Sequence, residues 1–193
     1  KTAIRSITKD FGYSSLNIIG LTIGIASALF LIIYVSDEVS YDRYHEKADR
    51  IYRVSSHIRE TDDEFTWIVA QIPFGPQVTE DYPEVEVAVR FIFLNRAPFK
   101  YNDKEFYEEN FFYADSAVFD VFTYNFLKGD PRTALMEPNT MVLTETVANK
   151  YFGNEDPIGK TLVSGEEAYR ITAVIEDVPK NSHFRFDALA SRK

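Results

Sequence analysis

The sequence predicts an α+β protein: one N-terminal transmembrane helix followed by an extracytoplasmic domain of β-hairpins and short helices. Three observations carry that prediction. Residues 11–36 hold no charged side chain and are mostly Leu, Ile, Val, Ala, Phe and Gly. Beyond them, short runs alternate apolar and polar residues with the period of two that marks a half-buried strand. Brief helical patterns lie between those runs, so helices interleave with hairpins.

The apolar run sets the organisation. Its 26 residues cover about 39 Å at helical rise, against a hydrocarbon core of roughly 30 Å, which leaves room for tilt. Lys1, Arg5 and Lys9 precede it, and Asp37, Glu38 and Asp42 follow it. The positive-inside rule then puts the N-terminus in the cytoplasm and everything after Ser36 outside. Tyr13 and Tyr34 are spaced as an interfacial aromatic pair would be. A cleaved signal peptide has a shorter apolar core, of roughly 7–15 residues. A soluble core helix rarely runs so far without a charge. The expected layout is a cytoplasmic amphipathic segment over 1–10, a transmembrane helix over 11–36 and an extracytoplasmic domain over 37–193. In the first segment Lys1, Arg5 and Lys9 share one side, facing anionic lipid or a cytoplasmic partner, or serving only as a topology signal. Within the span, Gly20 and Gly24 form a GxxxG pair that Ala28 extends. This is a candidate helix-packing stripe, because small residues let a second helix approach closely.

Past the membrane, Tyr41, Tyr44, Ala48 and Ile51 keep helical spacing, so the helix is expected to continue to about Asp49. Strands follow over Ile51–Arg59 and Phe65–Ile72, and Pro73 opens a helix reaching about Asp81. Val85, Val87, Val89, Phe91 and Phe93 alternate on one face of a strand. Asn102-Asp103-Lys104 reads as a turn between two strands. A short helix covers Ser116–Phe122, a strand Met141–Leu143, and a helix Glu145–Tyr151 that Gly153 closes as its C-terminal cap. Strands over Lys160–Val163, Tyr169–Val178 and Phe184–Leu189 complete the pattern. The chain opens without Met and stops just after an alternating segment, so it reads as a C-terminally truncated fragment.

Composition narrows the function. The formal charge is −9, and the first ten residues contribute +2, which leaves −11 on the remainder. An exported domain this acidic is a poor partner for nucleic acid. Without cysteine there is no disulfide, no thiol catalysis and no thiolate metal site. The 16 Phe and 12 Tyr suit a packed β-rich domain better than a disordered tail.

Two motifs invite chemistry and fail. Gly159-Lys160-Thr161 ends like a phosphate loop, but five residues separate Gly153 from Gly159 where that loop needs four. Glu155 and Asp156 would repel phosphate, and Pro157 removes a backbone donor. His45-Glu46 begins a zinc-protease pattern, yet its fifth position is Asp49, so the segment reads as a charged helix surface. His57 and His183 stand alone. No catalytic, cofactor-binding or metal-binding residue is identified, and an enzyme is not expected.

Several segments together resemble one family. SLNIIGLTIGIASALFLIIYVSDEVSYDRYHEKADRIYRV is similar to the first membrane helix and its exit in MacB/FtsX-like ABC transporter permeases. DSAVFDVFTYNFLKGDPRTAL, VLTETVANKYFGNEDPIGKTL and ITAVIEDVPKNSHFRFD resemble, in order, the extracytoplasmic core domain of those permeases. The resemblance implies a porter-like outer domain, a homodimer or related pair, a separate cytoplasmic ATPase and a periplasmic adaptor among the candidate partners. It implies residence in the cytoplasmic (inner) membrane and a first helix that carries ATP-driven motion outward as a stiff rod. It also supports a structural role for Gly153, Pro157 and Gly159, as cap, stiffener and tight turn of one loop. The reading is the N-terminal part of a permease subunit that couples ATP hydrolysis to export or release of a substrate. The alternatives are a single-span membrane-anchored sensor or ligand-binding domain, and a membrane-anchored hydrolase.

Overall fold

The computed structural model describes residues 11–59, 64–67, 69–94 and 96–191. The expected amphipathic segment over 1–10, with Lys1, Arg5 and Lys9, lies outside the described residues. The chain divides after Tyr41 into an N-terminal unit and a β-domain.

The first unit is helix α1, Phe11–Ser40, 30 residues long with no buried side chain. A soluble protein would not leave so continuous an apolar surface to water; the helix is long and apolar enough to cross a membrane. Its hydroxyls turn inward on their own backbone. Ser15 donates to the Gly12 carbonyl at 3.0 Å, Thr22 to Ile18 at 2.7 Å and Ser40 to Asp37 at 2.7 Å. Such bonds satisfy polar groups where no water is available.

The helix stops at Ser40 and does not continue to Asp49. Asp42 adopts a φ of +57°, outside the helical region, and its N–H bonds to the Asn181 carbonyl at 3.0 Å. Turns carry the chain to a short 3-10 turn over Ala48–Arg50. The periodic residues Tyr41, Tyr44, Ala48 and Ile51 are all half-buried, but turns rather than a helix bring them inward.

Among the described residues the β-domain has two sheets. Strands β1 (Ser56–Arg59) and β2 (Glu64–Trp67) form a two-stranded antiparallel ribbon, shorter than the strands expected over 51–59 and 65–72. Helix α2 spans Phe74–Asp81, with Pro73 at its cap position. The main sheet holds β3 (Phe91–Leu94), β4 (Ala97–Tyr101), β5 (Lys104–Glu108), β6 (Phe111–Ala114), β7 (Phe126–Lys128), β8 (Thr140–Thr144), β9 (Thr161–Ser164), β10 (Glu167–Ile175) and β11 (Ala188–Ser191). Its order is β3-β6-β11-β8-β10-β9-β4-β5, with β7 paired to β10. β8–β10 and β6–β11 run parallel, and the other pairs antiparallel. Helices α3 (Val118–Val121) and α4 (Glu145–Phe152) complete the domain.

The strand expected over 85–93 keeps only its end. Asp115 captures Arg90 before the ladder begins: its carboxylate takes the Arg90 N–H at 3.0 Å and two guanidinium nitrogens at 2.8 Å each. The Asp115 N–H in turn donates to the Arg90 carbonyl at 3.3 Å.

Both faces of the sheet are covered, so β8 is buried at every residue. Met141, Leu143, Ile171, Ala188 and Ala190 pack with Val147, Tyr151 and Phe152 of α4. Val142, Ala173, Ile175 and Leu189 face the opposite layer with Val118, Leu135 and Phe186. The strict alternation of β8 and β11 is the strand period made visible. In β10 a bulge at Thr172 interrupts it, and the β8 register shifts between Ile171 and Ala173. The Thr172 hydroxyl lies 2.5 Å from the Ala134 carbonyl and 3.1 Å from that of Met141.

Candidate functional site at the start of the β-domain

Among the described residues, a set of polar contacts between distant parts of the chain gathers on the lead-in segment that follows α1. The Asp42 carboxylate accepts the Ser182 hydroxyl at 3.0 Å, the His183 N–H at 3.0 Å and His183 Nδ1 at 2.7 Å. Tyr44 donates its hydroxyl to Ser182 Oγ at 3.0 Å. His45 Nδ1 accepts the Thr123 N–H at 3.1 Å, and the Thr123 hydroxyl accepts the Glu46 N–H at 3.0 Å. Lys47 reaches the Asp120 carbonyl at 2.6 Å. Two stretches thus hold this segment: 120–124, running from the last turn of α3 into the loop after it, and 181–183 before β11.

His45 and Ser182 are the buried members, each 4% exposed, and His45 is the aromatic one. Its ring lies 4.0 Å from that of Tyr44, 5.1 Å from Phe122 and 5.7 Å from Tyr124. Burial pushes its pKa down, against the opposing pull of Asp42, and the Thr123 N–H donated to Nδ1 also favours the neutral ring. Burial alone would raise Asp42, but hydrogen bonds from His183 and Ser182 outweigh it and hold the carboxyl below its ordinary 3.8. A carboxylate depressed in the folded state stabilises fully above its unfolded pKa and loses that contribution as pH falls through the folded value. Asp42 therefore supports the lead-in segment at neutral pH and releases it only in strong acid. Asp42→Ala removes three accepted hydrogen bonds and leaves a methyl side chain at positive φ. Local protection in amide exchange over 42–50 and 181–183 should fall by about 1–3 kcal/mol. Asp42→Asn, tolerated in this backbone region, should lose less. Unchanged exchange in Asp42→Ala would refute the role.

The residues singled out from sequence lie elsewhere. Gly20 and Gly24 are exposed on α1, where an added Cβ meets nothing within 4 Å, and Ala28 is exposed on the same helix. Gly153, Pro157 and Gly159 share the loop between α4 and β9. The Gly153 N–H donates to the Asn149 carbonyl at 2.9 Å, and that of Gly159 to Ile171 at 2.8 Å; Pro157 is buried. The loop's charges close on one another. Lys160 pairs with Glu155, and Lys128 with Asp156 at 2.9 Å. Lys160 also sits 5.5 Å from the rings of both Tyr101 and Phe152. Among the described residues no group of three potential metal ligands gathers. His45, read from sequence as part of a charged surface, is instead enclosed. Its burial depends on partners near position 123, and no local pattern signals that.

The family comparison draws these parts together. The sequence profile of the MacB-like periplasmic core domain matches residues 14–191, running from inside α1 through β11. The chain belongs to the MacB-like periplasmic core domain family. Among solved structures, this MacB-like domain is similar to a domain of a proposed permease protein from Porphyromonas gingivalis. They share 28% identity and a TM-score of 0.54 over 61% of this chain and 55% of that one. The periplasmic region of MacB from Actinobacillus actinomycetemcomitans matches at 19% identity and TM-score 0.41, over 54% of this chain and 47% of that one. The extracellular domain of the noncanonic ABC-type transporter YknZ from Gram-positive bacteria matches at 15% and 0.43, over 53% of each chain. The chain spans about half the length of these structures. No curated protein matches it. The matched residues of this MacB-like chain take in most of the apolar helix together with the β-domain.

Proposed function

We propose that this chain is the N-terminal part of an ABC-type permease subunit of the cytoplasmic (inner) membrane. Helix α1 spans the bilayer with its N-terminus in the cytoplasm, and the β-domain lies outside. ATP hydrolysis by a separate domain or subunit drives a change in the outer domain that exports or releases a substrate. The carrying observation is that one family profile runs without interruption from α1 to β11. Because the helix ends at Ser40, motion passes to the domain through the lead-in segment Asp42–Arg50 and the two stretches that hold it. A continuous rod is not required. Gly20, Gly24 and Ala28 offer a packing face to another helix of a homodimer or paired permease, while the loop with Gly153, Pro157 and Gly159 shapes the domain. A periplasmic adaptor is a further candidate partner.

Two experiments test this reading. In a chain without native cysteine, Asp103→Cys should react with a membrane-impermeant maleimide on intact cells, whereas Thr2→Cys should react only after permeabilisation. Labelling of both from one side would reject the topology. Gly24→Ile should weaken co-purification of differently tagged copies of the full-length subunit in detergent by roughly tenfold, about 1.4 kcal/mol. Undiminished pairing would remove the stripe from the interface.

A further inference from the structure

One side chain in the lead-in segment carries a chemical contradiction that a proton would expose. His45 Nδ1 accepts the Thr123 backbone N–H at 3.1 Å, so this nitrogen has no proton and the neutral ring carries its hydrogen on Nε2. Among the described residues Nε2 has no hydrogen-bond partner and is shielded from solvent. Protonation at Nδ1 turns the acceptor into a donor facing another donor. The imidazolium cannot keep the Thr123 bond, and the rings of Tyr44, Phe122 and Tyr124 close around it. The Glu46–Thr123 bond at 3.0 Å is the adjoining contact between the same two strips of backbone.

We propose that His45 is a proton-operated latch: neutral, it fastens the lead-in segment to the 122–124 loop, and protonated, it lets that segment go. The surrounding groups fix the sign. Asp42, on the same segment, is paired with His183 from the 181–183 loop, and its attraction only partly offsets the burial of the His45 ring. The His183–Asp42 pair lies on the other loop, so protection over 120–124 is read separately from protection over 181–183. Burial raises the pKa of both Tyr44 and Tyr124, so neither phenol ionises in this range. Glu46, Lys47 and Asp120 are exposed at the margin. Asp42, held below 3.8, keeps its charge above pH 5.

The pH window follows by linkage. The released histidine takes up a proton near pH 6.5 and the latched one only at lower pH, so the latch is fully effective above about 6.5. From pH 7.5 to 5.5 the released population rises roughly tenfold, until the latched ring itself titrates. Such a device lets an external acid load alter how firmly the domain grips the chain leaving α1, independently of nucleotide.

The test is amide exchange by mass spectrometry on the full chain in detergent micelles at pH 7.5, 6.5 and 5.5, corrected for intrinsic rates. Peptides over 43–50 and 120–124 should lose roughly tenfold in protection between pH 7.5 and 5.5, with β8, β10 and α4 unchanged. His45→Asn, whose Oδ1 accepts in place of Nδ1 and does not titrate, should give a flat profile. Loss of the same size in His45→Asn, loss spread through the sheet, or a flat profile in the native protein would each overturn the latch. If His45→Asn does not fold, the native series decides alone.

Discussion

Gly129→Ala should be the most damaging single-methyl substitution in the β-domain, lowering its stability by about 3–5 kcal/mol. Gly129 follows β7 at a φ of +89°, and a Cβ there would lie 2.4 Å from the Thr172 carbonyl oxygen and 2.7 Å from the Ala173 Cβ. Neither neighbour can yield. Thr172 is the bulge of β10, and its hydroxyl is tied to the Ala134 and Met141 carbonyls, while Ala173 is fully buried. The midpoint of thermal unfolding should drop by roughly 10 °C. Gly153→Ala is the control. Its φ of +60° and ψ of −119° lie outside the left-handed helical region, and with no neighbour within 4 Å only backbone strain, about 1–3 kcal/mol, is expected. Equal drops in the two variants would show that the approach to Thr172 is not the cause.

Glu108→Ala should cost about 2–4 kcal/mol, read as a fall in the unfolding midpoint of roughly 5–15 °C. The Glu108 side chain is 6% exposed and accepts the Lys150 ammonium at 2.8 Å and the Tyr151 hydroxyl at 2.8 Å. It closes the end of β5 against α4. Truncation leaves the buried Tyr151 phenol, whose pKa burial and the Glu108 bond hold well above the ordinary value, with only the Phe99 and Phe106 carbonyls at 3.4 Å each. The Lys150 contribution is discounted because its side chain is 34% exposed. Glu108→Gln keeps an acceptor of the same shape and should lose less than half as much. An unfolding midpoint in Glu108→Ala within roughly 2 °C of the native chain would show that water replaces the carboxylate without penalty.

The elements legible in the sequence are those whose cause is local. Helix α1 follows from the side chains of 11–36 alone, because lipid asks nothing of neighbouring elements. The β4–β5 hairpin follows from Asn102-Asp103, with Asn102 at a φ of +52°, and α4 from its apolar face and Gly153. Missed features depend on distant partners. β6 carries four consecutive apolar residues, Phe111 to Ala114, and so lacks alternation. β7 has three residues, and its pairing shifts register beside the β10 bulge. The end of α1 is set by Asp42, whose carboxylate is claimed by residues 140 and 141 positions away. His45 was hidden for the same reason, since its partner Thr123 is 78 positions on. Helical spacing over 41–51 was a true sign of inward-facing side chains and a false sign of the element presenting them.

The place of β11 has a consequence for how the domain is made. Residues 188–191 insert between β6 and β8, parallel to one and antiparallel to the other. Until they arrive, β3 and β6 have no ladder to the remaining strands. In synthesis from the N-terminus, β3 and β6 can join the rest of the ladder only once residues 188–191 have emerged. Closure of the sheet therefore waits for one four-residue stitch.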